Sequence, residues 1–107
     1  MSRSKKAPGR TKPLPQLDPV MHQPIRTRMV AFLAARDEAT FNELKAAIQI
    51  TDGNLDAHMK KLLAAGYVDA RRESANGRPQ TFYFLTDDGR VAFRAYVDAL
   101  QTLLQST

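Results

Sequence analysis

Residues 51–85, TDGNLDAHMKKLLAAGYVDARRESANGRPQTFYFL, leave the backbone few options. Thr51 can cap a helix whose apolar residues Leu55, Met59, Leu62 and Leu63 fall on one side. Gly66 stands where such a helix should stop, because glycine enters the left-handed region without a Cβ penalty. Residues 67–72 then read as a strand, 74–79 as a turn holding Asn76-Gly77, and 80–85 as the return strand. Asn-Gly suits the tight turns whose twist matches that of two antiparallel strands.

The flanks extend this pattern. Thr40, with Glu43 three residues on, matches a capping box, and Phe41, Leu44 and Ile48 give the short helix after it a buried side. Gln49-Ile50 is the turn into the helix at Thr51. Upstream, Asp18-Pro19 reads as an N-cap with proline at the first helical position, and Pro24 ends that turn and opens the first long helix. Ile25, Met29, Phe32 and Leu33 form its inner face, with Arg26, Thr27, Arg28 and Arg36 elsewhere, and it ends by Arg36-Asp37. Thr86 caps a last helix of roughly 20 residues, about 30 Å long. The expected fold is mainly α with a small β-hairpin: a winged helix-turn-helix with an added C-terminal dimerisation helix.

Charge divides the chain. Residues 1–17 carry Arg3, Lys5, Lys6, Arg10 and Lys12 with no acid, and also three prolines, so they are expected to form a disordered or extended basic arm. The remaining eleven Lys/Arg and eleven Asp/Glu balance, so residues 18–107 form a near-neutral domain and the net charge of +5 resides in the arm. An arm of that kind favours polyanions through counterion release. The absence of cysteine excludes disulfides and thiolate metal sites. With His22 and His58 the only histidines, neither a metal site nor another cofactor is expected. No apolar run approaches the ~20 residues of a membrane span, and the basic N-terminus lacks the apolar core of a secretory signal, so the cytoplasm is the expected compartment. There is no phosphate-binding glycine loop and no Ser/His/Asp set, and Asp87-Asp88 suit the first turn of a helix, so no enzymatic activity is expected.

The helix after Thr51 has an unusual outer side. With Leu55 at zero and 100° per residue, the apolar residues centre near ~25°, and Gly53, Asn54, Ala57, Lys61 and Ala64 lie opposite, with His58 and Lys60 at the edges. A small middle lets the backbone approach a groove closely. Asn54 suits adenine, Lys61 suits guanine or phosphate, and Thr51 with the free amides of the first turn suits a phosphate oxygen. Asp52 and Asp56 weigh against this, although Asp52 also suits the helix dipole. In the hairpin, Arg71 and Arg72 point to opposite faces, so one of them, expected to be Arg72, faces a polyanion together with Asn76, Gly77 and Arg78. Tyr83 and Leu85 share one face and Phe82 and Phe84 the other, which then needs a cover from the arm or a second subunit. On the last helix, Phe93, Tyr96, Val97, Leu100, Leu103 and Leu104 occupy one arc. Such a helix outreaches a body this small, so its second half is expected to pair with a copy of itself.

Taken together, LDPVMHQPIRTRMVAFLAA, TFNELK, TDGNLDAHMKKLLAAGYV, NGRPQTFYFLTDDGR and AFRAYVDAL resemble the short winged-helix transcriptional regulators related to the MarR and ArsR families, over about residues 17–105. The resemblance implies a homodimer on double-stranded DNA, with the helix at about 52–65 as reader and the hairpin around Gly77 as wing. Asp56 departs from the small hydroxyl residue common in such proteins, and Phe84 from a polar one. Two other classes stay open: a protein-interaction module that keeps the fold without reading bases, and a nonspecific nucleic-acid-binding protein driven by the arm.

Overall fold

The computed structural model describes residues 13–106. The arm expected at residues 1–17 lies mostly outside them. Seven elements follow in order: α1 (Pro24–Arg36), β1 (Ala39–Thr40), α2 (Phe41–Ile48), α3 (Asp52–Ala64), β2 (Val68–Ala75), β3 (Arg78–Leu85) and α4 (Asp87–Gln105). The three strands form one antiparallel sheet in the order β1-β3-β2.

Local chemistry sets the helix ends. Gln23 caps α1 by accepting from the Arg26 amide, with Pro24 just inside. The Thr40–Glu43 capping box is complete: Thr40 Oγ1 accepts from Glu43 N at 3.1 Å and Glu43 Oε1 accepts from Thr40 N at 2.8 Å. Thr51 caps α3 and Thr86 caps α4, each accepting from the amide three residues on. At the end of α3, Gly66 (φ 78°) donates to the Leu63 carbonyl and Tyr67 to the Leu62 carbonyl, closing a Schellman motif.

The core gathers Met29, Val30 and Leu33 of α1, Leu44 and Ile48 of α2, Leu55, Met59 and Leu62 of α3, Val68, Leu85, Ala39, Tyr96 and, ahead of α1, Met21. Two expectations change here. Leu63, expected inward, is 37% exposed. The three buried residues of α3 centre near ~10° on the wheel, and Leu63 stands about 70° from that centre, past the edge of contact. The inner face of α1 is also turned from the expected one: Val30 is fully buried, while Ile25 and Phe32 only flank the core.

The hairpin is longer than expected. Ala75 pairs with Arg78 across a two-residue turn in which Asn76 (φ 53°) and Gly77 (φ 75°) are both left-handed. Ala39 and Thr40 add a third strand to β3, which the short sequence segment had not suggested. The register places Val68, Ala70 and Arg72 opposite Leu85, Tyr83 and Thr81 on one face, which meets the core at Val68, Leu85 and Tyr83 and is exposed at Ala70 and Arg72. Phe82 and Phe84 lie on the other face, half-buried, with the Arg71 guanidinium 5.2 Å over the Phe82 ring.

Residues 18–23 form a single turn rather than a helix, and it is pinned on several sides. Asp18 Oδ1 accepts from Val20 N, His22 Nδ1 lies 2.9 Å from the Tyr96 hydroxyl, and Met21 fills the core. The Tyr67 hydroxyl donates to Asp18 Oδ2. That hydrogen bond, with burial, pushes the phenol up to about 12 from its ordinary 10.0. Since the folded value is the higher one, the bond's contribution is complete below pH 10 and fades as pH rises through about 12. Tyr67→Phe is expected to lower stability by about 1 kcal/mol at pH 7. In urea unfolding the gap between the two proteins should narrow above pH 10; a constant gap would show that this hydrogen bond is not its source.

Candidate nucleic-acid interface

α3 is held from behind by Leu55, Met59 and Leu62 against the core, which leaves its opposite side outward. Thr51, Gly53, Asn54, Ala57, Lys60, Lys61 and Ala64 are all exposed. A methyl group built on Gly53 would meet nothing within 4 Å. The side chains here are thus short between Gly53 and Ala57 and cationic at Lys60 and Lys61. A shallow hollow beside them is lined by Val20, Ala57, Lys60, Lys61, Ala64 and Ala65, so the turn that leads back toward the basic arm borders this surface.

The two carboxylates are offset by lysines. Asp52 pairs with Lys45 of α2 at 2.7 Å, and Asp56 with Lys60 one turn on at 2.9 Å. These exposed pairs add little stability. Their electrostatic effect is larger: they cancel the negative charge that the sequence put beside the outer face.

His58 differs from the other site residues in being half-buried. Its Nδ1 lies 3.1 Å from Arg26 Nη1 of α1. Burial, then the charges of Arg26 and Lys61, hold the imidazole below its ordinary value of 6.5. Arg26 was expected off the inner face of α1. With Met29, Val30 and Leu33 as the true inner face, the same wheel puts Arg26 within about 15° of its centre. A buried-side arginine at that position was therefore readable once Val30 was counted.

In the wing, the strand faces separate the two arginines. Arg71 is engaged: Nη2 donates to Glu38 at 2.9 Å and Nε to Glu73 at 2.5 Å. Arg72, Asn76, Gly77 and Arg78 are exposed. On α4, Tyr96 is buried in the chain's own core, and Phe93, Val97 and Leu100 pack against that core. Leu103 is half-buried beyond them and Leu104 is 67% exposed. The stripe expected to face a second copy therefore serves its own chain over its first part. Among the described residues no three His, Asp or Glu side chains converge as metal ligands, and no helix is long and apolar enough to cross a membrane.

Two helices joined by a tight turn, the second outward-facing and followed by a twisted hairpin, form a winged helix. The family model described as a winged helix DNA-binding domain matches residues 25–104. The chain belongs to this family. It is 36% identical over 78 residues, 73% of its length, to the uncharacterized protein MJ0432 of Methanocaldococcus jannaschii, covering 85% of that protein. It resembles the structure of a transcriptional regulator homologue from Pyrococcus horikoshii OT3 at 28% identity and TM-score 0.75, over 81% of this chain and 86% of that one. A further likeness, at 23% identity and TM-score 0.68, is to the transcriptional repressor CouR, solved bound to a 23-mer DNA duplex; it covers 78% of this chain and 58% of CouR. The winged-helix regulator resemblance read from the sequence is thus borne out, and the family is one of DNA-binding domains, not enzymes.

Proposed function

We propose that this winged-helix protein is a homodimeric transcriptional regulator, working in the cytoplasm, that reads double-stranded DNA with α3 in the major groove. The wing, through Arg72, Asn76, Gly77 and Arg78, lies on the adjacent backbone or minor groove. The observation that carries this reading is the outer side of α3, exposed from Thr51 to Ala64 and nearly free of bulk at Gly53 and Ala57. The pairing of Asp52 and Asp56 with lysines weakens the main argument for a module that avoids DNA.

Selection of bound sequences from a random duplex pool tests it. A defined motif is expected from the wild type. Asn54→Ala should lose about 1–3 kcal/mol of specific binding and relax preference at one base pair, because its amide can accept from N6–H and donate to N7 on the major-groove edge of adenine. Equal binding to unrelated duplexes, abolished by removing residues 1–17, would instead favour coating driven by the basic arm.

Gly53 offers a sharper test. Within the protomer an added methyl meets nothing, and alanine is the better helix former, so Gly53→Ala should hold or slightly raise the melting temperature. If the backbone approaches a groove at this point, the same change should weaken duplex binding by about tenfold, the effect of a small steric misfit of ~1.4 kcal/mol. Unchanged affinity would mean that DNA does not lie against Gly53.

A further inference from the structure

We propose that Arg26 and His58 act as a pair in reading DNA, Arg26 holding the imidazole from behind so that its Nε2–H is presented outward as a fixed hydrogen-bond donor. The inference rests on α3 being the reading helix. Arginine has donors only, so the 3.1 Å approach of Nη1 to Nδ1 requires that Nδ1 accept. The proton of the neutral ring is then on Nε2, the ring nitrogen that does not meet Arg26. Arg26 is itself well anchored. Its Nε donates to the Val20 carbonyl at 2.6 Å and its Nη2 reaches the Pro19 carbonyl at 3.4 Å, so three of its nitrogens are spent on the 18–23 turn and on His58.

This geometry has two consequences. First, the guanidinium links three parts of the chain (α1, the turn and α3), so the position of His58 relative to the outer face depends on it. Second, a proton on Nδ1 would remove the acceptor and set two cations against each other. The charged groups facing the ring are Arg26 from α1 and Lys61 from its own helix, and both oppose protonation. A donor of fixed position at the edge of the outer face fits a purine N7, a guanine O6 or a thymine O4. Arg26 would not touch DNA; it is a positioning residue.

The two ring nitrogens can be separated by substitution, since an asparagine amide falls near Nδ1 and a glutamine amide near Nε2. His58→Gln should keep the outward donor and retain preference at one base pair of the selected site. His58→Asn should lose about tenfold of that preference. Arg26→Gln should weaken preference at the same base pair, and adding it to His58→Asn should cost little more. Without DNA, the imidazole of the wild type, followed by NMR, should titrate below the ordinary histidine value, and in Arg26→Gln it should move back up. An Arg26→Gln protein with an unmoved His58 titration overturns the pair, as does an effect spread evenly over all base pairs. If the wild type selects no motif, DNA reading by α3 fails and the role of His58 with it; the NMR titration still shows whether the Arg26–His58 link forms.

Discussion

Gly89→Ala should be among the most damaging single changes in this protein, lowering stability by about 2–3 kcal/mol. Gly89 is the third residue of α4, and its amide donates to the Thr86 cap at 3.0 Å. A Cβ there would fall 2.1 Å from the Tyr67 carbonyl oxygen, 2.9 Å from its carbon and 3.1 Å from its Cα. All three are backbone atoms, and the same carbonyl accepts from Thr86 N at 3.1 Å, so nothing flexible can yield. The helix would have to lift away from the start of the hairpin, taking Thr86 and the burial of Leu85 with it. Alanine's better helix propensity returns less than about 1 kcal/mol. For a domain of this size the expected fall in melting temperature is about 10–20 °C. Gly53→Ala, a glycine-to-alanine change in another helix with open space around it, is the natural control. Melting of the two variants within a couple of degrees of each other would show that α4 does not sit this tightly on Tyr67.

Leu103→Asp should have the largest effect on function. The first four turns of α4 are held by the chain's own core through Phe93, Tyr96, Val97 and Leu100, so Leu100 is a poor place to test an interface: charge there would also cost stability. Leu103 lies beyond them on the same stripe, and α4 continues to Gln105. If this end of α4 pairs with a second copy, a carboxylate on each side sets like charges against each other in an apolar seam. Sedimentation should then report monomers. Affinity for a two-fold symmetric site should fall by about 10²–10⁴, because a dimer binds its second half-site at the high effective concentration set by the first. Far-ultraviolet circular dichroism should stay as in the wild type. An intact dimer in the centrifuge would move the interface elsewhere.

The parts of this fold that were legible in the sequence are those set by neighbours a few residues away. Thr40, Thr51 and Thr86 cap their helices by accepting from amides three residues on, so the cap and its partner lie in one short stretch. Gly66 and Asn76-Gly77 mark positions of positive φ that few other residues adopt at low cost. What escaped were contacts between segments far apart in the chain. Strand β1 is two residues long and exists because β3, some forty residues later, lies alongside it. The inner face of α1 was misjudged because an apolar pattern admits more than one rotation of a helix until its partners are placed.

The candidate interface divides in the same way. Its small and cationic residues could be read directly, because their place on the far side of α3 follows from the helical period alone. By itself, then, the sequence determined the order of the helices and the hairpin, the threonine caps and the tight turn, and which side of α3 faces outward, since each depends on local backbone chemistry or on periodicity. Only the tertiary structure decided that Lys45 comes from α2 to neutralise Asp52, that Arg71 is spent on Glu38 while Arg72 stays exposed, and that Arg26 reaches across from α1 to His58. These are pairings across the fold, chosen by distance after the core has closed, and no spacing along the chain encodes them.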